Sequence, residues 1–210
     1  MSDGFDKVAP FYDSLARLVF CDSVRLCQLE YLNKISPGAK VLILGGGTGW
    51  LLAELMKVNP SCTVWYLESS IEMLDRAKAR CGSLSDQRIF FIHGTEKNLQ
   101  RYEIRFDAVI TNFYFDLFTS SSLIAVLGQI RKCLYPGSKL LVSEFIDRKW
   151  WQRLLLFLMY RFFRWVCDIE ARHLPDWQDQ LEQGGFAQRN SATFYLGFIK
   201  SSLYVLEEKH

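Results

Sequence analysis

The segment at residues 41–52 constrains the fold of this chain more than any other. It begins with four apolar residues, 41–44, as a buried strand does. Four glycines among the next five residues lead directly into a run that is typical of a helix start. Glycine permits left-handed backbone and lets a ligand approach a helix N-terminus without meeting a side chain. The pattern predicts a strand, a nucleotide-binding loop and a helix, with a plain tight turn as the alternative.

The residues after the glycines disfavour two common nucleotide motifs. The dinucleotide fingerprint requires a small residue at position 50, where helix and strand pack closely, and this chain has Trp50. A P-loop requires Lys followed by Ser or Thr, whereas Gly49 is followed by Trp50 and Leu51. Binding of NAD or FAD and hydrolysis of ATP or GTP are therefore disfavoured.

A second strand and an acidic residue are predicted one βαβ unit further along. Residues 63–67 form a short apolar run, and Glu68 stands at its carboxyl end. A carboxylate about twenty residues after such a glycine loop is placed to accept hydrogen bonds from both hydroxyls of a ribose. The alternative is a solvated charge at the start of the next helix.

Strand-like and helix-like segments alternate along the chain, which predicts an α/β fold with a mostly parallel sheet and helices on both faces. With 210 residues, 50% of them hydrophobic and 15% aromatic, we expect a single domain over residues 1–210. Apolar residues recur at helical spacing over 123–134, and Pro136-Gly137 is expected to end that helix before a fifth strand. A final strand pair is predicted at 187–195 and 198–206.

Composition and charge argue against several classes of function. The net charge of +2, without a basic run interleaved with aromatic residues, predicts no nucleic-acid partner. The six cysteines form no C-x-x-C pair and no His-Cys cluster, so we expect small buried thiols in a reducing compartment and no metal site. No apolar run follows a basic start at the N-terminus, which predicts no secretory signal and a cytoplasmic location.

The glycine segment resembles motif I of the class I S-adenosylmethionine-dependent methyltransferases, an acidic residue and any residue followed by Gly-x-Gly-x-Gly. The glycines match at 45, 47 and 49, but Ile43 occupies the acidic position, whose carboxylate in the family helps to organise the methionine end of the cofactor. Residues 68–74 resemble the family's acid-x-Ser-x-x-Met-Leu, in which the serine caps a helix. The resemblance implies S-adenosylmethionine as the cofactor and a Rossmann-like sheet of seven strands, the last one antiparallel.

Three further segments resemble the family's motifs in the same order. They are the third strand with its adenine-side loop (88–96), the fourth strand beside the cofactor sulfur (106–113), and the Leu-x-Pro-Gly turn with the fifth strand (134–145). The family often has Asp where this chain has Thr95. The resemblance implies cofactor contacts from Tyr12, Gly45, Gly46, Gly47, Gly49, Glu68, Ser69, Met73, Thr95, Glu96, Thr111 and Asn112.

Residues 5–13 resemble the Phe-Asp-x-Val-Ala-x-x-Tyr-Asp opening of methyltransferases that act on ubiquinone and menaquinone precursors and of their small-molecule relatives. In that group the segment folds over the cofactor, which implies that Tyr12 lines the methyl-transfer pocket; a hydrophobic plug is the alternative. The resemblance divides the domain into N-terminal cap helices, a cofactor-binding core, lid helices and a C-terminal strand pair, at residues 1–36, 37–145, 146–185 and 186–210.

The predicted lid contains an apolar segment at residues 150–177, beyond the carboxyl ends of the strands, where such sheets bind ligands. The apolar run within it, residues 154–160, is too short to span a bilayer, which needs ~20 apolar residues. Arg153, Arg161 and Arg164 flank that run. We expect one or two helices that select an apolar or aromatic acceptor and offer a basic amphipathic face to a membrane surface. The alternative is that these side chains only complete the core.

Methyl transfer to a hydroxyl or an activated carbon needs an aligned nucleophile and a base that removes a proton. The candidates for that base are His173, Asp116 and Tyr114, with Glu144 at the end of the fifth strand as a fourth. A histidine has the most suitable intrinsic pKa, ~6.5; the alternative for His173 is a surface or capping residue. Asp116 could likewise cap the helix that follows it.

The sequence thus predicts methyl transfer to oxygen or carbon of a small apolar, aromatic or quinone-like acceptor. One alternative is an aminopropyltransferase, because the spermidine synthase family has a similar glycine loop without the preceding acid; the sequence holds no acid-rich stretch for a polyamine. The other is a non-catalytic cofactor-binding scaffold, which Ile43 keeps open.

Overall fold

The computed structural model describes residues 6, 9–10, 12–82, 88–101, 103–167, 169 and 171–208, with the backbone alone for residues 12, 13, 16, 100 and 101. The strands are β1 (Lys40–Leu44), β2 (Thr63–Glu68), β3 (Ile89–His93), β4 (Phe106–Asn112), β5 (Leu134–Phe145), β6 (Phe186–Phe194) and β7 (Ile199–Leu206). The α-helices of the described part are α1 (Tyr12–Phe20), α2 (Ser23–Leu29), α3 (Trp50–Val58), α4 (Ile71–Cys81), α5 (Ser120–Lys132), α6 (Trp150–Cys167) and α7 (Trp177–Gln183).

All seven strands belong to one sheet in the order β3-β2-β1-β4-β5-β7-β6. Strands β1 to β5 are parallel, and β7 is antiparallel to both of its neighbours. The predicted Rossmann-like sheet with an antiparallel last strand is therefore confirmed. The strand order reverses between β1 and β4, and the loops that leave such a point diverge and open a crevice at the carboxyl edge.

Alternating side chains cover the two faces of the sheet. In β1, Leu42 and Leu44 pack into the cluster beneath α5 and α7, whereas Val41 and Ile43 pack into the cluster beneath α3 and α4. All four are buried, as expected of a parallel strand with helices on both sides. Their burial fixes the register of β1 and hence the position of the glycine loop that follows it.

A third apolar cluster lies beyond the carboxyl end of β5. It joins Phe20 of α1, Leu156 and Tyr160 of α6, and Phe145 and Phe198 at the ends of β5 and β7. Through this cluster the lid helix α6 packs against the end of the sheet. Part of the apolar content of the lid therefore does complete a core, as one of the two readings of the sequence proposed.

The junction between α5 and β5 differs from the sequence prediction. The helix ends before Leu134, which already pairs with Phe106 of β4, and residues 135–138 bulge out before the parallel ladder resumes. The Ser138 hydroxyl donates to the Phe106 carbonyl at 2.9 Å and holds the bulge against the strand. Pro136-Gly137 thus shapes a bulge within β5 rather than ending the helix.

Candidate active site

The glycine loop between β1 and α3 takes backbone conformations that other residues rarely adopt. Gly45, Gly47 and Gly49 have φ angles of 61°, 66° and 80°. A Cβ on Gly49 would lie 2.6 Å from the Ala77 backbone, so this glycine allows α3 and α4 to pack closely. No described atom lies within 4 Å of a Cβ built on Gly47, so the backbone there borders open space that a ligand can enter.

Glu68 is buried at the end of β2 and braces the glycine loop. Its Oε2 accepts a hydrogen bond from the Gly47 N–H at 2.8 Å, and its Oε1 accepts one from the Ser70 N–H at 2.9 Å. Burial raises the pKa of Glu68, although these two N–H groups oppose the rise. On the other side of the loop the Tyr66 hydroxyl donates to the Gly47 carbonyl at 2.8 Å. The loop and the carboxylate are therefore held in a fixed relation before any ligand binds.

A cavity of about 410 Å³ lies at this edge of the sheet and joins two different environments. One end is polar and includes the glycine loop, Glu68, Ser69 and Asn112. Among the described residues the buried Asn112 Nδ2 has no hydrogen-bond partner, so a donor is available there. The other end is apolar and is lined from α1, β5 and α6 by Phe20, Phe145, Leu155, Leu156, Met159 and Phe163.

Two buried carboxyl groups lie where β4 and β5 end. Glu144 Oε1 accepts hydrogen bonds from the Tyr114 N–H at 2.8 Å and the Phe115 N–H at 2.7 Å. Asp116 lines the cavity, and within the described chain neither its Oδ1 nor Glu144 Oε2 has a hydrogen-bond partner. Burial raises the pKa of Asp116 to about 7. Burial and the nearby Asp116 charge raise the pKa of Glu144 well above its ordinary value, so the pair retains a proton near neutral pH.

Most of the predicted cofactor residues meet at the cavity. Its lining includes Gly45, Gly46, Gly47, Glu68, Ser69, Met73 and Asn112. The side chain of Tyr12 lies outside the described residues.

Four of the predicted cofactor residues do not line the cavity. Gly49 faces α4 behind the loop, and Thr111 is buried in the sheet. Thr95 and Glu96 follow β3, where Glu96 is buried and accepts a hydrogen bond from the Tyr114 hydroxyl at 2.9 Å. A role for these four in cofactor binding stays a prediction from the sequence.

Two of the predicted bases are unsuited by their surroundings. Tyr114 lines the cavity, but burial and the neighbouring Glu96 raise its pKa well above the ordinary value, so it holds its proton. His173 is exposed and does not line the cavity. Burial of Ala171 and Pro175 anchors the segment on either side of His173 and turns that side chain outward. Asp116 is the remaining predicted base that borders the cavity.

The structure adds two residues that the motifs did not indicate. Arg25 and Gln28 of α2 line the cavity beside the first turn of α3. The Arg25 guanidinium lies 5.0 Å from the centre of the Trp50 ring. This cation–π contact holds the positive charge of Arg25 near the glycine loop. Among the cysteines, Cys21 is exposed rather than buried, whereas the other five are buried as predicted.

The chain thus forms an α/β domain in which a glycine loop and a buried carboxylate at the end of β2 lie beside an apolar compartment. A model of the methyltransferase domain family matches residues 41–137. The ubiquinone/menaquinone biosynthesis C-methyltransferase UbiE of Wigglesworthia glossinidia brevipalpis is 32% identical over 150 residues, 69% of this chain and 59% of that protein. The demethylmenaquinone methyltransferase of Beutenbergia cavernae is 28% identical over 191 residues, 84% of this chain and 76% of that protein.

The solved structure of the mitomycin 7-O-methyltransferase MmcR shares the fold, with a TM-score of 0.71 and 18% identity over 96% of this chain and 60% of that one. The chain spans 59% of the length of the UbiE relative. Residues 41–137 thus match a methyltransferase domain, and the chain is similar to class I S-adenosylmethionine-dependent methyltransferases, whose cofactor is S-adenosylmethionine.

Proposed function

We propose that this chain transfers the methyl group of S-adenosylmethionine to an oxygen or carbon atom of a small apolar acceptor. The observation that carries the proposal is the joined cavity, which connects the glycine loop and Glu68 to an aromatic and aliphatic compartment under α6. A cofactor in the polar end and an acceptor in the apolar end would meet inside one cavity. Such alignment is the main requirement for an in-line displacement.

The polar end fits S-adenosylmethionine. Glu68 Oε2 accepts one hydrogen bond, from the Gly47 N–H, and retains a lone pair for a ribose hydroxyl. Oε1 accepts from the Ser70 N–H and, at 3.5 Å, from the Ser69 hydroxyl, which a second ribose hydroxyl could replace. Asn112 offers a buried donor, and the space at Gly47 lets a ligand approach the backbone. When bound, S-adenosylmethionine supplies a methyl group that the sulfonium charge makes electrophilic.

The methionine end requires partners other than the acidic residue of the family pattern. Ile43 stands at that position and is buried in the apolar cluster beneath α3 and α4. Arg25 and Gln28 line the cavity near the glycine loop instead. We infer that Arg25 pairs with the cofactor carboxylate, because a guanidinium forms strong charge-assisted hydrogen bonds with that group.

The apolar end favours an aromatic or quinone-like acceptor. Its lining offers aromatic rings and flexible methionine and leucine side chains, which suit a flat apolar ring and give it few polar partners. The two curated relatives named above act, by their names, in ubiquinone and menaquinone synthesis. That agreement supports a phenol, quinol or related ring as the acceptor of this chain.

Asp116 is the proposed general base. It borders the cavity, and its pKa of about 7 lets the carboxylate take a proton from an acceptor hydroxyl or activated carbon near neutral pH. Glu144 is a positioning residue, since it accepts hydrogen bonds from the backbone just before Asp116 and so fixes the short turn that carries it.

Turnover with methyl-labelled S-adenosylmethionine tests the proposal. A panel of ring acceptors should include alkyl-substituted phenols and quinols beside carboxylate-substituted phenols and quinols of the same ring size. We expect label in the alkyl-substituted products and little in the carboxylate-substituted ones. Cofactor binding without transfer to any acceptor would favour the non-catalytic scaffold. Transfer of an aminopropyl group from decarboxylated S-adenosylmethionine to a polyamine would replace the proposal with the aminopropyltransferase reading.

A further inference from the structure

Helix α6 presents apolar side chains on the side that faces away from the sheet. The helix buries Leu156 and Tyr160 against the protein, yet Trp150, Phe157 and Trp165 are 77%, 60% and 85% exposed. At 100° per residue, five of the six exposed apolar positions fall within roughly 100° of the helix circumference, and the sixth, Phe162, lies about 40° beyond them. We call this set the outer stripe; it consists of Trp150, Leu154, Phe157, Leu158 and Trp165.

The charges on the same helix have one sign. Arg153, Arg161 and Arg164 are all exposed, and residues 150–167 contain no Asp or Glu. By helical spacing, Arg161 falls within the outer stripe and the other two lie along one border of it. An apolar stripe with tryptophans and a cationic border is the composition of helices that lie in the interface of an anionic bilayer.

The outer stripe is continuous with the opening of the cavity. Leu158 belongs to the stripe and also lines the cavity, as does the exposed Phe162 beside it. The exposed Arg17 of α1 and the exposed Cys21, which follows that helix, line the same opening. A surface that covered the stripe would therefore lie directly at the entrance of the apolar compartment.

We propose that the outer stripe docks this chain on an anionic lipid surface, with the cavity open toward the acyl chains. The proposal rests on the proposed function, since an apolar acceptor would be concentrated in that surface. A second copy of the chain fits less well, because a two-fold contact through the stripe would bring the same arginines together. None of the helices in the described ranges has the length and apolar content needed to cross a bilayer.

Co-sedimentation of the full chain with vesicles tests the docking surface. Vesicles of phosphatidylcholine alone are compared with vesicles that also contain phosphatidylglycerol. We expect binding to the anionic vesicles that weakens as salt is raised. Replacing the apolar anchors (W150S, F157S and W165S together) and, separately, the charges (R153Q, R161Q and R164Q together) should each reduce the partition coefficient by at least roughly tenfold.

In a matched control, serine replaces three exposed apolar residues that lie outside α6 (V58S, I124S and Y135S together). It should bind vesicles as the unchanged chain does. Equal binding of the control and of the stripe variant, or failure of the unchanged chain to bind anionic vesicles, overturns the proposal. A chain that dimerises in solution, with the dimer lost only in the stripe variant and no vesicle binding, would assign the face to a second copy.

Titration of each variant with S-adenosylmethionine separates this proposal from the proposed function. The stripe and charge variants should retain the cofactor affinity and thermal midpoint of the unchanged chain, because none of the substituted side chains packs in the polar end. Vesicle binding without cofactor binding would leave the docking surface in place and remove the methyltransferase proposal. Cofactor binding and turnover of water-soluble acceptors without vesicle binding would support the methyltransferase proposal and remove the docking surface.

Discussion

At the scale of single residues, Asp116 is the proposed base and should set the pH dependence of the reaction. Because it acts as a base only when ionised, we expect kcat to rise with pH through about 7 and then level off. Asp116→Asn should lower kcat by ~100-fold or more and remove the rise, with S-adenosylmethionine affinity unchanged. Asp75→Asn, on the exposed side of α4, is the control. An Asp116→Asn variant with an unaltered pH profile would exclude Asp116 as the base.

Arg25 is proposed to bind the carboxylate of the cofactor and no other part of it. Arg25→Met should weaken S-adenosylmethionine and S-adenosylhomocysteine by roughly tenfold or more, because a charge-assisted hydrogen bond contributes ~1.5–3 kcal/mol. Affinity for 5′-methylthioadenosine, which has no amino-acid group, should stay the same in calorimetric titrations. Arg17→Met is the control, since Arg17 lines the cavity opening and is largely exposed. Equal losses for all three ligands would mean that Arg25 only supports the fold.

At the scale of elements, α6 has one side toward the cavity and another toward the solvent. Met159→Ala and Phe163→Ala enlarge the apolar compartment, so the KM of a water-soluble acceptor should rise by roughly tenfold. Phe157→Ala removes an exposed side chain that does not line the cavity and should leave that KM unchanged. Steady-state kinetics at saturating cofactor measure the acceptor KM of the inner and outer variants. Equal effects of the inner and outer changes would contradict this division of the helix.

At the scale of the whole molecule, the buried carboxyl pair links stability to pH. The pKa of Asp116 rises from an ordinary value of 3.8 to about 7 in the folded chain, so the folded state binds more protons. The favourable contribution is complete below pH 3.8 and is lost as pH rises toward about 7. Asp116→Asn should therefore gain stability relative to the unchanged chain between about pH 4 and about pH 8 in urea unfolding. A constant difference across that range would contradict the shift.

The fold and the polar end of the site could be predicted because their determinants are local in sequence. The glycine loop needs positive φ angles at fixed spacing, and Glu68 ends the next strand. The pairing of Asp116 with Glu144 depends on the register of β4 and β5, which no motif specifies. The approach of Arg25 to Trp50 likewise depends on how α2 packs, and only the folded chain brings them together.

The binding of S-adenosylmethionine is the central claim, and calorimetric titration of the purified chain tests it most directly. The unchanged chain should bind S-adenosylmethionine and S-adenosylhomocysteine in the micromolar range, with no heat from NAD. Glu68→Ala should weaken both by at least roughly tenfold, because two ribose hydrogen bonds to a charged group are lost. Glu72→Ala, at an exposed position of α4, should not. Absence of binding to the unchanged chain, or equal affinity in Glu68→Ala, would contradict the account.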